Sequence, residues 1–237
     1  MRIAILSNTL PAALPIYDKL VATGHDEVFV VLSPPFRGSA RRNLSQHVAR
    51  WVIKKGRWQS LRLMISGRVI LLAQTLDHPK SVSKLKELHP DVGLHKSGTI
   101  YRLVTIDCFR HGILNAHIGM LPKYRGRSVM EWTVLQGDAP GISVFFVDSG
   151  IDTGKRIVLS EKVDISHCRS IAKAKDYLFN LDAEFYARAI ELLKSGISEF
   201  KINDGSGRRY YVMSKLFHDV ADKCLQIGNR QLAIGNT

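Results

Sequence analysis

Short apolar runs alternate with stretches of helical period through most of the chain. Residues 3–6 (Ile-Ala-Ile-Leu) form a strand-length apolar run, as expected of a strand buried on both faces. A turn follows at 7–11, after which Ala12, Ala13, Ile16, Leu20 and Val21 recur at helical spacing until Gly24 ends the pattern. Residues 28–32 give a second strand, so the chain opens β-α-β. This alternation predicts an α/β fold: an open, mostly parallel twisted sheet with helices on both faces. Further strands are expected at 69–73, 92–95, 112–115, 142–147 and 156–163, with helices at 79–88 and 127–135 and one long helix over 169–193. After Gly196 the periodicity weakens. The pattern therefore predicts a core domain of 1–195 and a C-terminal extension, 196–237, holding a small β-rich tail (a short hairpin that includes 209–213) and fraying over its last twenty residues.

Composition is that of an ordinary globular protein, with 45% hydrophobic and 23% charged residues. The longest apolar runs, such as Val69-Ile70-Leu71-Leu72-Ala73, fall far short of the roughly 18 residues a bilayer span needs. No cleavage-site pattern follows the N-terminal run. Cys108, Cys168 and Cys224 form neither a disulfide framework nor a metal pair, and a reducing cytoplasm is expected. His25, His78 and His111 lack metal-ligand spacing with acidic neighbours, so no metal is assigned.

Charge changes the picture more. Lys plus Arg exceed Asp plus Glu by 34 − 21 = 13, which predicts attraction to anions. Between 33 and 76 there is no Asp or Glu, yet there are nine Lys or Arg. Leu44, Val48, Trp51 and Val52, then Trp58, Leu61 and Met64, fall at helical spacing and predict a basic helical insertion at about 36–68. The bland reading is a packed helix pair with a solvated basic face. The other is a surface for a polyanion, on which Phe36, Trp51 and Trp58 could stack or insert, making a nucleic-acid or membrane-surface binding protein the non-enzymatic alternative. The first turn, Ser7-Asn8-Thr9-Leu10-Pro11, has no glycine and so lacks the dinucleotide fingerprint.

The most informative stretch is Asn115-Ala116-His117-Ile118-Gly119-Met120-Leu121-Pro122-Lys123-Tyr124-Arg125-Gly126, with Gly150-Ile151-Asp152-Thr153-Gly154 after it. On a strand, Asn115 and His117 share a face. If the chain returns to them through the next helix and strand, Asp152 joins them. An amide, an imidazole and a carboxylate around one centre suit attack of an amine on an acyl carbon. Asn115, and His117 when charged, would donate to the developing oxyanion, while Asp152 would stabilise the charged imidazole and accept the proton the amine sheds. Each feature has a dull competitor: Asn115 and His117 could satisfy strand-end backbone groups, Asp152 could be a turn residue, and Tyr124-Arg125-Gly126 could cap the following helix.

Taken in order, Asn115-x-His117, Leu121-Pro122-x-Tyr124-Arg125-Gly126 and Ile151-Asp152-Thr153-Gly154 resemble the signature of the folate-dependent formyltransferase family, whose members include methionyl-tRNA, glycinamide ribonucleotide and sugar N-formyltransferases. The resemblance implies that Asn115, His117 and Asp152 are catalytic and that the formyl donor is 10-formyltetrahydrofolate. It implies that the loop Val147-Asp148-Ser149-Gly150-Ile151 grips the pterin and that Gly93-Leu94-His95 forms the other wall. Ser7, Asn8, Tyr124, Arg125 and Gly126 are assigned to the acceptor. Two departures stand out: His95-Lys96 is more polar than usual, and Ile118-Gly119-Met120 replaces a commoner Pro-Ser-Leu type of sequence.

Among acceptors, the chain past Lys162 looks too short for the β-barrel domain of the tRNA enzyme, although the basic segment stands where that enzyme carries a basic loop. The glycine-poor first turn argues against the phosphate grip of the glycinamide ribonucleotide enzyme. The layout is closest to short sugar N-formyltransferases. The expected acceptor is thus a nucleotide-linked amino sugar of dTDP or GDP type, as used in lipopolysaccharide O-antigen biosynthesis, with nucleic acid a weaker alternative. The family also admits a homodimer.

Overall fold

The apolar run at the N-terminus becomes strand β1 (Ile3–Ser7), every residue of which is buried. The computed structural model describes residues 1–34, 57–197 and 199–235 of a chain that folds as two units, Met1–Leu114 and Asn115–Thr237. In the first unit, helix α1 (Leu10–Ala22) carries Pro11 in its opening turn, where a missing N–H leaves no hydrogen bond unmade. It buries Leu10, Ala13, Leu14, Ile16 and Leu20. Then come β2 (Val28–Leu32), α2 (Arg57–Ile65), β3 (Val69–Leu71), α3 (Pro79–Glu87), β4 (Val92–Lys96), α4 (Leu103–Ile106) and β5 (Gly112–His117), whose last three residues belong to the second unit. The strands are parallel in the order β3-β2-β1-β4-β5. The chain runs outward from β1 to β3, then returns to β4 on the opposite side of β1. The carboxyl ends of β1 and β4 therefore flank a switch point, where open parallel sheets leave a crevice. Of the expected basic insertion, residues 36–56 lie outside the described residues; 57–65 are helical.

The second unit continues with β6 (Tyr124–Gly126), α5 (Val129–Leu135), β7 (Gly141–Phe146), β8 (Arg156–Lys162), α6 (Ile171–Asn180), α7 (Asp182–Lys194), β9 (Lys201–Ile202), β10 (Arg208–Tyr210) and α8 (Lys215–Gly235). β7 and β8 pair antiparallel, with a register shift between Val144 and Phe145. β9 lies antiparallel on β8. The fold is an open, mostly parallel α/β arrangement, as expected.

Two expectations need correction. The long helix over 169–193 is two helices, α6 and α7, meeting at Leu181, whose N–H bonds to the Leu178 carbonyl in a tightened last turn. Asn180 and Asp182 flank the break, and both favour helix ends over helix interiors because their side chains compete for the backbone. The C-terminal extension is not a hairpin with a frayed tail. β10 pairs parallel with β6, β9 pairs with β8, and Lys215–Gly235 is a helix with Ala221 and Leu225 buried. The extension belongs to the second of the two compact units, Asn115–Thr237.

Tyr186 of α7 is fully buried, and its hydroxyl accepts the N–H of Ala116, the residue between Asn115 and His117, at 2.9 Å. Tyr186→Phe strands that N–H and should cost about 1–3 kcal/mol of stability. Urea denaturation checks it; an unchanged midpoint would show that the bond contributes nothing. No helix among the described residues is long and apolar enough to cross a membrane.

Candidate active site

β5 ends in the sequence that carries the candidate chemistry. His117, 8% exposed, sits at its last position, with half-buried Asn115 two residues earlier on the same face. The Asn115 side chain makes no hydrogen bond among the described residues, so its N–H donors are available. The imidazole is engaged on both sides. Nε2 stands 2.9 Å from the Tyr124 carbonyl; since a carbonyl can only accept, Nε2 carries a proton. Nδ1 faces Asp152 Oδ2 at 3.6 Å. That same Oδ2 accepts the Gly126 N–H at 2.9 Å. His117, Asp152, Gly126 and the Tyr124 carbonyl thus form one connected set inside the second unit.

The local chain explains why these groups meet. Ser143 of β7 donates its hydroxyl to the Gly119 carbonyl at 2.8 Å and accepts the Leu121 N–H at 3.0 Å, which fixes the turn after His117. Gly126 adopts φ +100°, which favours glycine, and a Cβ there would collide with the Tyr210 carbonyl. Asp152 itself has φ +52°, a left-handed conformation that Asp tolerates better than most residues. Gly119 leaves room for the imidazole: a Cβ at this position would sit 2.7 Å from His117 Nε2. Gly119→Ala should drive the ring off the Tyr124 carbonyl. The expected readout is a change in the Nε2 nitrogen chemical shift; an unchanged shift would mean that the turn yields instead.

The remaining expected site residues fall as follows. Asp148 accepts the Gly150 N–H at 2.9 Å and the Thr153 hydroxyl at 2.6 Å, so it shapes the loop through residues 147–151. Ser149 and Gly150 are exposed, whereas Val147 packs on Leu121, Phe145 and Ile157 and Ile151 is half-buried. Tyr124 reaches the site through its carbonyl and not its ring. The ring is 1% exposed, stacks on Tyr210 with centroids 5.4 Å apart, and bonds through its hydroxyl to Gln136 and Asp138. Burial and the Asp138 bond push the phenol well above its ordinary range, while Lys123 and Tyr124 hold the Asp138 carboxyl below its own. Arg125 is half-buried, and its Nε is buried with no partner among the described residues.

In the first unit, Ser7 is fully buried, and its hydroxyl lies 2.8 Å from the Thr9 carbonyl and 3.1 Å from that of Lys96. Asn8 donates to the Ser33 carbonyl at 3.0 Å and accepts the Gly98 N–H at 3.2 Å. Both side chains tie the carboxyl end of β1 to its surroundings; Ser7 commits its single donor there, whereas the Asn8 amide keeps one N–H beyond these bonds. His95 Nδ1 lies 2.6 Å from the hydroxyl of buried Tyr101, whose phenol is pushed up by burial. Gly93 packs tightly, a Cβ there coming within 3.0 Å of Ile113 and Phe109, and Leu94 is fully buried in β4.

Sequence reasoning missed Asn203 and Ser143. Asn203 lies in Asn203-Asp204-Gly205-Ser206-Gly207, a composition that reads only as a turn, and Ser143 is one polar residue in a buried strand. No group of three or more His, Cys, Asp or Glu able to hold a metal is found among the described residues.

Comparison with known proteins meets this geometry from outside. The chain is 28% identical over 198 residues to the methionyl-tRNA formyltransferase of Caldanaerobacter subterraneus subsp. tengcongensis, a stretch covering 83% of this chain and 60% of that protein. The chain thus spans about three-fifths of the length of such curated relatives. Among solved structures, glycinamide ribonucleotide transformylase 1 from Symbiobacterium toebii aligns with a TM-score of 0.62 at 18% identity, over 86% of this chain and 93% of that one. An N-formyltransferase from Helicobacter canadensis, in complex with folinic acid and dTDP-3-aminofucose, aligns at 0.60 and 14%, over 96% and 81%. At such identities the likeness is one of fold. The sequence itself carries the relationship further, because residues 1–190, which include the whole of the connected set around His117, match the family model described as formyl transferase, and the chain belongs to that family.

Proposed function

We propose that the chain is an N-formyltransferase that moves a formyl group from 10-formyltetrahydrofolate to a primary amine of a nucleotide-linked amino sugar. The observation that carries the reading is the Asn115 amide, left without a partner among the described residues beside an imidazole whose two nitrogens face the Tyr124 carbonyl and Asp152. Such an arrangement has a donor to spare for an oxygen that becomes negative and a carboxylate to take a proton.

The donor supplies an acyl carbon at the formyl oxidation level. Residues 147–151, with Ser149 and Gly150 exposed beside the half-buried Val147 and Ile151, are the loop assigned here to the donor's pterin ring. Asn115 donates a hydrogen bond to the oxygen where charge accumulates. Asp152 accepts the amine's proton through the oxygen not bound to Gly126, or by relay from His117 Nδ1. His117 can serve as an oxyanion donor only by releasing one of its two contacts. The Asp152 contact, at 3.6 Å, is the looser, and such contacts tighten or realign when substrate binds.

The nucleotide-sugar acceptor is supported by fold neighbours that align along nearly all of this chain, one of them crystallised with dTDP-3-aminofucose. The second reading, methionyl-tRNA, is favoured by curated relatives similar in sequence, which are methionyl-tRNA formyltransferases. Formyl transfer assayed in parallel on dTDP- and GDP-linked amino sugars, glycinamide ribonucleotide and methionyl-tRNA tests both. Turnover only on an amino-sugar nucleotide is expected. Turnover only on methionyl-tRNA would replace the first reading by the second, and none on any of the four would remove both.

A further inference from the structure

Residues beyond the family-matched stretch, which stops at 190, hold Asp152 directly at its main chain and indirectly, through Gly126, at its carboxylate. Its main chain is held by Asn203. The Asn203 side-chain amide donates to the carbonyls of Asp152, at 3.1 Å, and Gly154, at 3.2 Å. A primary amide has two N–H donors, so both are spent on this turn. The Asn203 N–H donates to the Lys155 carbonyl at 2.8 Å, and its side-chain oxygen accepts the Gly205 N–H at 3.3 Å. Asn203 is 3% exposed, so water is not a ready substitute for either bond.

The carboxylate end is held through Gly126. The Asp152 Oδ2 accepts the Gly126 N–H, and Gly126 is the register partner of Tyr210 in the β6–β10 pair. Tyr210 is fixed in turn by Gln136, which donates to its hydroxyl at 2.9 Å, and by stacking on Tyr124. Between these anchors Asp152 keeps its left-handed conformation, which persists in a non-glycine residue when the surroundings impose it.

We infer that Asn203 is a positioning residue for Asp152: by clamping the Asp152 and Gly154 carbonyls it sets the direction in which the Asp152 carboxylate meets His117. The inference rests on the proposed reaction for its kinetic consequence but not for its geometry. Without the clamp the turn relaxes, and the carboxylate loses the alignment that places its Oδ2 3.6 Å from Nδ1. Misplacement of about 1 Å at a reacting group can cost about 10²-fold in rate.

The test compares Asn203→Asp, which keeps the shape and when ionised has no donors, with Asn203→Ser, which keeps one, in the full chain. Two readouts are needed: the ring-nitrogen chemical shifts of His117 at fixed pH, and kcat against donor KM on the active acceptor. Asn203→Asp should move the His117 shifts in the same direction as Asp152→Asn and lower kcat about 10²-fold with donor KM within threefold, and Asn203→Ser should lie between. A His117 spectrum identical to wild type in folded Asn203→Asp overturns the inference, as does a drop in melting temperature with kcat and ring shifts unchanged. If Asn203→Asp does not fold, Asn203→Ser decides by the same criteria. Should wild type transfer formyl to none of the acceptors while the ring shifts still follow Asn203, the clamp stands and the proposed reaction falls.

Discussion

Asp152→Asn should lower turnover by about 10²- to 10⁴-fold while leaving the fold in place. The substitution removes the basic oxygen and little else. Asparagine is nearly isosteric with aspartate, accepts the left-handed conformation that Asp152 adopts, and keeps a carbonyl oxygen for the Gly126 N–H. Its main-chain carbonyl still meets Asn203. What is lost is the acceptor for the proton that an ammonium must shed before its nitrogen can attack. Folinic acid affinity and melting temperature should therefore stay near wild type while kcat falls. A variant turning over at the wild-type rate would remove Asp152 from the chemistry and return it to the role of a turn residue.

Asn115→Ala is expected to cost about 10²- to 10³-fold in kcat, the usual effect of losing one oxyanion donor. Because the amide holds no structural partner among the described residues, its removal leaves no buried group stranded, in contrast to Tyr186→Phe. The two losses should therefore separate cleanly: kinetics for Asn115, stability for Tyr186. A donor stabilising only the developing charge lowers kcat and kcat/KM together, leaving KM nearly constant. A rise in KM at unchanged kcat would show that Asn115 binds substrate in its ground state, and the oxyanion role would be lost.

The strands of the first unit were legible because a parallel strand buried on both faces reads as an unbroken apolar run, as at residues 3–7 and 28–32. Asn115 and His117 were legible as a pair from strand periodicity, and Asp152 from the expected return of the chain through the next helix and strand together with its resemblance to the family motif. The break at Leu181 was hidden because an apolar residue stands where the helical period wants one. The burial of the Tyr124 ring was hidden for a different reason: its partners, Gln136, Asp138 and Tyr210, come from later elements, and nothing near residue 124 announces them. The same holds for Ser7, whose hydroxyl faces the carbonyl of Lys96. Non-local pairing also decides the C-terminal segment. β9 and β10 are two and three residues long, too short for their sequence to fix a partner, and only their pairings show that they do not pair with each other.

The parallel pairing of β10 with β6, and the bonds from Asn203 to the Asp152 turn across 51 positions of sequence, have a consequence for synthesis. Contacts of this separation form late, since the intervening chain must first be made and then closed into a loop. On a ribosome the chain emerges N-terminus first, so the strand bearing His117 and the Asp152 turn are exposed to the cell well before Asn203 and Tyr210 exist. A nascent chain that already carries all three candidate catalytic residues would lack both restraints on its carboxylate, and enzymatic competence would arrive only once Asn203 and Tyr210 had been made and had folded back onto the turn.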